Sequence, residues 1–303
     1  MKLAAIDIGS NAIRFQVIRV IRLGDSVSFK KLEYIRFPLR LGEDVFNTGM
    51  ISDHTLARFE KLMRTFKLLL ELYEVEGYIA AATSAMREAK NGKQIIHHIA
   101  DTFGLHIEVI TGKEEAEVLS QAIVPFLDER AYIHIDVGGG STELNLYRER
   151  ERVSSKSFRM GSVRQLPEKK RLAVFQEAEE WLKASLPETA GQVIAVGTGG
   201  NIRKLFQFSN FQQSGSITLT ELTALKAYVN AYNLDERLNL LKMNPDRADV
   251  IIPAAEIYIE VMRRSGAERI LAPNVGLKDG MLYQLYEKVT GEAIGKVEFL
   301  DQL

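Results

Sequence analysis

Cysteine is absent from the 303 residues, which excludes disulfides, thiolate metal sites and cysteine nucleophiles. An excess of either charge is also missing. The formal net charge is −1, which argues against a general nucleic-acid binder, since such proteins carry a basic surplus. No uninterrupted apolar run approaches the length of a membrane span. The start, MKLAAIDIGSN, does not read as a secretory signal, because Asp7 interrupts its apolar stretch after a few residues. Low-complexity tracts and flexible linkers are lacking as well. What remains is 46% hydrophobic and 26% charged, long enough for about two domains with substantial cores. A soluble, cytoplasmic protein without nucleic-acid or membrane partners is the expectation.

The chain that is present alternates strand and helix patterns. Residues 2–8, 12–21 and 27–36 read as strands from β-branched content and alternation. Leu56, Phe59, Leu62, Met63, Phe66, Leu69, Leu70 and Tyr73 recur at helical spacing and predict a helix over 53–75. Further strands are expected at 78–82, 106–110, 131–137, 142–147, 152–158, 192–196 and 269–272. Helices are expected near 91–103, 112–126, 171–186, 200–208, 220–230, 246–264 and 276–289. This mixture indicates α/β layers. A weak internal repeat runs through it: AAIDIGSNAIRFQVIRV and IHIDVGGGSTELNLYRE share a strand, an Asp after Ile, a small-residue loop and a second strand. Two like domains, 1–120 and 121–303, are expected, with Asp7 and Asp136 on opposite walls of one cleft.

Three glycines in a row, Gly138, Gly139 and Gly140, separate two strand patterns and are followed by Ser141 and Thr142. A hairpin needs only one or two special residues. A strand–loop–strand setting is neither a Walker loop nor a dinucleotide fingerprint. The physics is related all the same: successive backbone N–H groups can form a concavity for phosphate oxygens. Gly9-Ser10-Asn11 is the matching loop of the first half, and alone it is ordinary turn chemistry. Gly197-Thr198-Gly199-Gly200 leads into a helix, whose N-terminus is a natural anion site. Asp7 and Asp136 each end an apolar strand at such a loop, and as a pair they suggest Mg²⁺ held through waters. Glu143 is either a further metal or water contact or an exposed strand residue.

In TGKEEAEVL, Thr111 and Glu114 fit a capping box. Glu115, turned by about 100° on the helix, has no capping role. It is either a water-activating base or part of an acidic first turn that complements the helix dipole. Arg87 offers a bidentate fork for phosphate, and its plainer alternative is a solvated helix residue.

The segments AIDIGSN, LRLGEDVFNTGMIS, AATSAMREAKN, VITGKEEAE, IDVGGGSTEL, RMGSVR, AVGTGGNIRKL and NPDRADVI occur in order across the whole chain. Together they closely resemble the exopolyphosphatase and guanosine-pentaphosphate phosphohydrolase family. The resemblance implies two ribonuclease-H-like domains of the actin-like ATPase superfamily around a central cleft. It implies Glu115 as catalytic base, Asp136 and Glu143 as Mg²⁺-site and water-positioning carboxylates, and Arg87 as a phosphate-binding residue of the catalytic set. Asp7 joins the metal site, and Ser10, Asn11, Arg14, Gly138–Ser141 and Gly197–Gly199 line the phosphate channel. The implied activity is Mg²⁺-dependent hydrolysis of terminal phosphoanhydrides, in inorganic polyphosphate, in pppGpp of the stringent response, or in both. A homodimer is left open. An ATP-using kinase or ATPase of the same superfamily and a non-catalytic polyphosphate or nucleotide sensor are the rival readings. Two departures stand out: Lys278-Asp279-Gly280 replaces a common Arg-Glu-Gly step, and no His-Asp dipeptide marks the C-terminal module of longer members.

Overall fold

The computed structural model describes residues 1–24, 26–186, 192–209, 215–292 and 298–300. The chain packs as two compact units, Met1–Pro125 with Gly276–Leu303, and Phe126–Val275.

In the first unit, β1 (Lys2–Ile8), β2 (Ile13–Leu23) and β3 (Ser26–Phe37) form an antiparallel meander, and β4 (Gly77–Ala82) and β5 (Glu108–Val109) extend it in parallel from β1. β1 lies in the middle of the sheet, and Leu3, Ala4, Ala5 and Ile6 are fully buried, as a strand covered on both faces requires. Between the strands run α1 (Leu41–Thr48), α2 (Asp53–Leu72), α3 (Ser84–Glu88), α4 (Gly92–Phe103) and α5 (Gly112–Ile123). Ser52 caps α2 by accepting from Thr55 N, and the helix lays Phe66 on Phe15 with ring centroids 4.8 Å apart. α5 stops earlier than its apolar pattern predicts. Pro125 cannot donate into an α-helix, and the chain tightens into a 3₁₀ turn over Val124–Phe126.

The second unit repeats the plan. β6 (Tyr132–Val137), β7 (Thr142–Arg148) and β8 (Glu151–Phe158) form a meander, and β9 (Ile194–Thr198) and β11 (Arg269–Leu271) extend it in parallel from β6. β10 (Ser216–Thr218) closes the edge. The helices are α6 (Glu168–Ser185), α7 (Gly200–Gln207), α8 (Leu219–Asn230), α9 (Leu234–Asn239), α10 (Pro245–Ala248) and α11 (Ile251–Ser265). Ile133, Ile135, Leu144 and Leu146 form the apolar side of the sheet and share a core with Ala254 and Tyr258 of α11. The single helix expected over 246–264 is therefore two.

The expected boundary of 121–303 is corrected at its far end. α12 (Leu277–Thr290) packs on β1 and α5 of the first unit, and β12 (Glu298–Leu300) pairs in parallel with β3. The reason is contact between backbones: a Cβ on Gly280 would lie 2.0 Å from Val118 O, so only glycine allows that approach. Asp279 accepts from Gly276 N at 2.8 Å and Lys278 Nζ bonds Asp279, so the Lys-Asp-Gly step serves the start of this helix. No helix among the described residues is long and apolar enough to cross a membrane.

Candidate active site

In the second unit, Asp136 is the next-to-last residue of β6 and Glu143 the second of β7, and their Cα atoms are direct partners in the ladder. Their side chains therefore share one face, with carboxylate oxygens within 4.8 Å of each other. Glu143 is 1% exposed and accepts from Ser157 Oγ at 2.9 Å. Two carboxylates this close disfavour each other's charge unless a cation sits with them. Two hard oxygen donors suit Mg²⁺.

The glycine loop between them is held from one side by a second loop. Ser162 N donates to Gly138 O, and Val163 N and Arg164 N both donate to Gly139 O, each at 2.9 Å. Arg164 Nε donates to Gly140 O at 2.6 Å. With these carbonyls engaged, the loop is fixed without side chains of its own. Gly161 makes the approach possible, since a Cβ there would lie 2.4 Å from Gly139 O. None of Gly138–Gly140 adopts positive φ, so close approach is what their lack of a side chain permits. Ser141 is buried and its carbonyl accepts from Gly138 N.

The third loop divides its labour. Gly197 is a packing glycine: a Cβ would meet Ile270 at 2.9 Å. Gly199 takes φ 101° and caps α7, a conformation that favours glycine. The Thr198 hydroxyl donates to Asp136 Oδ1 at 2.6 Å, and the Tyr258 hydroxyl donates to the Thr198 carbonyl. Burial, with the Asp136 charge second, pushes the Tyr258 phenol well up, so it stays a donor. Arg247 lies against the α7 N-terminus, 2.7 Å from where a Gly200 Cβ would stand. Burial, and then Arg247, lower the Lys204 ammonium from its usual range.

In the first unit, Asp7 is buried and accepts from Arg14 Nη1 at 2.6 Å. One oxygen of this candidate metal carboxylate is thus committed to a cation that the protein supplies. Ser10 is also committed: its hydroxyl lies 2.8 Å from Ser84 Oγ and accepts from Ala85 N at 3.1 Å. The Asn11 carbonyl accepts from Arg40 N. Arg87 Nη1 donates to Ile110 O at 2.5 Å, which places the guanidinium near the start of α5. There Glu114 accepts from Thr111 N at 2.7 Å and completes the capping box. Those hydrogen bonds hold the Glu114 carboxyl below its ordinary range. Glu115 is 8% exposed and outside the box.

Sequence reasoning did not single out Gly161, Arg164 or Arg247 as individuals, nor His134. The signal for His134 was available: a polar residue two before Asp136 on an otherwise apolar strand, level with Asn145.

Residues 20–289 match the model of the Ppx/GppA phosphatase family. The chain is 28% identical over 317 residues to exopolyphosphatase 2 of Mycobacterium tuberculosis, covering 94% of this chain and 98% of that protein. It is 27% identical over 311 residues to a bifunctional 3-dehydroquinate synthase/phosphatase of Fusobacterium nucleatum. That match covers 94% of this chain but 46% of the relative, so the chain spans about half of that protein's length. The crystal structure of an exopolyphosphatase from Cytophaga hutchinsonii superposes with a TM-score of 0.80 at 22% identity, over 98% of this chain and 100% of that one. The shared architecture is the two-domain, actin-like ATPase fold. A paired carboxylate beside a braced glycine loop, a doubled strand plan and a family match over 20–289 agree: the chain belongs to the Ppx/GppA phosphatase family.

Proposed function

We propose that the chain hydrolyses terminal phosphoanhydride bonds and releases orthophosphate from inorganic polyphosphate, with pppGpp, which ends in the same linkage, as a second substrate converted to ppGpp. The observation that carries this reading is the facing pair Asp136 and Glu143 at the mouth of a glycine loop whose carbonyls are already engaged. Such a loop leaves amide N–H groups as its chemistry toward an anion.

Asp136 and Glu143 would hold Mg²⁺, which when bound neutralises charge on the transferred phosphoryl group. The loop amides and the α7 N-terminus, with Arg247 beside it, hold non-bridging oxygens and stabilise the charge that builds on them. Glu115 accepts the proton of the attacking water as the new P–O bond forms. The bridging P–O bond breaks, and the shortened chain leaves as an anion. Water as acceptor separates this reading from a kinase, and a set of three carboxylates separates it from a sensor that binds without turnover.

The test is orthophosphate release from polyphosphate, pppGpp and ATP, side by side in Mg²⁺ buffer. Release from polyphosphate without an added acceptor is expected, and it should stop with a chelator. Glu115→Gln should fold normally and lose about 10²–10⁴-fold in turnover, the usual range for a general base. Binding without release, or release unaffected by Glu115→Gln, would overturn the assignment.

A further inference from the structure

A buried row of hydrogen bonds in the second unit runs behind the carboxylate pair. Asn145 Nδ2 lies 3.1 Å from His134 Nδ1, His134 Nε2 lies 2.8 Å from Thr198 Oγ1, and Thr198 Oγ1 lies 2.6 Å from Asp136 Oδ1. Sheet register builds it: His134 stands opposite Asn145, and Asp136 opposite Thr198. Asn145, His134 and Thr198 are each 0% exposed.

The carboxylate at one end sets the direction of the whole row. The Thr198 hydroxyl donates to Asp136 Oδ1, so its single proton is committed there, as a carboxylate holding a cation requires. Thr198 must then accept from His134, which puts the ring proton on Nε2. In a neutral ring Nδ1 is left as an acceptor, and Asn145 supplies the amide donor. The ring is fully buried between these two partners.

We infer that His134 is a positioning residue for Asp136: through Thr198 it fixes the carboxylate, which would keep a constant orientation toward a bound cation. The inference rests on the proposal that Asp136 helps to hold Mg²⁺. Supporting partners of this kind set ligand orientation and typically change metal affinity or activity by about 10–100-fold when removed. The first unit serves as an internal control. The positions matching His134, Asn145 and Thr198 are Ala5, Gln16 and Ala81, and there Asp7 is held by Arg14 instead.

The experiment has one arm that needs no variant. In Mg²⁺-saturated, ¹⁵N-histidine-labelled protein, long-range ¹⁵N–¹H spectra should show one ring protonated on Nε2 alone, absent from His134→Gln. A ring protonated on Nδ1 instead would overturn the inference. The second arm is Mg²⁺ binding by calorimetry. Thr198→Val should weaken it about 10–100-fold, and Thr198→Ser, which keeps the hydroxyl, should restore it. His134→Gln keeps a donor where Nε2 stands and should bind better than His134→Asn. In an Asp136→Asn background, Thr198→Val should cost nothing more, because the row then has no carboxylate to orient. Full additivity there would mean a merely structural role and would overturn the inference. If Asp136→Asn weakens Mg²⁺ binding and Thr198→Val does not, the positioning role falls and the metal site stands. If Asp136→Asn binds Mg²⁺ as wild type does, the parent reading falls and takes this role with it.

Discussion

The two units share a strand plan, and in each an aspartate stands one residue before the end of the first strand, yet the residue facing that aspartate differs in sign. Asp7 is level with Arg14 and Asp136 is level with Glu143. In the first unit the charge is settled within the protein by an ion pair at 2.6 Å, 4% exposed on the aspartate side. In the second, two carboxylates face each other across the ladder, with oxygens within 4.8 Å. The parallel neighbour differs too, Ala81 beside Asp7 and Thr198 beside Asp136. A repeated backbone thus carries two different charge pairings at the same place, aspartate with arginine in one unit and aspartate with glutamate in the other. Similarity of the strand plan therefore does not carry over to the charge at the loop, which the cross-strand partner changes.

The largest expected effect comes from breaking this contrast at Glu143. Glu143→Gln keeps the shape and the acceptor for Ser157 while halving the charge of the pair. Turnover on polyphosphate should fall about 10²–10³-fold, the scale of losing one electrostatic contact to the reacting group. The Mg²⁺ concentration giving half-maximal rate should rise. A normal rate at low Mg²⁺ would remove Glu143 from the site.

Arg14→Met sharpens the contrast from the other side. It leaves Asp7 buried beside an aliphatic chain, and stranding one member of a buried pair costs about 3–5 kcal/mol. Because the Arg14 side chain is 27% exposed, water will soften that, and about 2–3 kcal/mol is expected. Denaturant midpoints measure it. Mg²⁺ binding, which belongs to the other loop in this scheme, should not change. A loss of Mg²⁺ affinity matching that of Glu143→Gln would mean that both aspartates serve one ion.

Much of this was legible in advance. Alternation, the 3.6 period and the repeated Ile-Asp-loop pattern predict the strands, the long helices and two like units. Spacing alone predicts the Thr111–Glu114 capping box, leaving Glu115 for other work. Short elements such as α1, α3 and α9 escape because eight residues or fewer hold too little periodicity. The return of α12 to the first unit depends on Gly280 meeting Val118 O, a contact across more than 150 residues that no local pattern encodes. Likewise, glycines at 138–140 suggest an anion loop, but the brace from 161–164 is a tertiary fact. Thr198 stands in a loop that the resemblance places along the phosphate channel, and sheet register sets its hydroxyl beside Asp136, which no local pattern encodes.

The two loops are also braced differently, and a pair of Gly→Ala variants measures the difference. Gly161→Ala places a methyl 2.4 Å from Gly139 O and 2.6 Å from Gly140 N. Both obstacles are backbone, so one loop must move away from the other, with the cost typical of overpacking, about 1–3 kcal/mol. The hydrogen bonds from Ser162, Val163 and Arg164 would stretch, and turnover should fall along with stability.

Gly42→Ala, in the first unit, should have the smallest effect of all. Its methyl would lie 2.6 Å from Phe46 Cε2, at the end of a side chain that can turn aside, and 3.0 and 3.1 Å from Ser10 Cβ and O, which would have to give by a few tenths of an ångström. Gly42 stands in the first turn of α1, where alanine gains up to about 1 kcal/mol of helix propensity over glycine. The small steric cost against Ser10 and the helical gain should nearly cancel, leaving a change within about 1 kcal/mol and Mg²⁺-dependent turnover close to wild type. Denaturant midpoints for the two variants, measured together, decide the matter. If Gly42→Ala proves as damaging as Gly161→Ala, the Ser10 loop is held as rigidly as the glycine loop, and the contrast in how the two loops are braced would have to be redrawn.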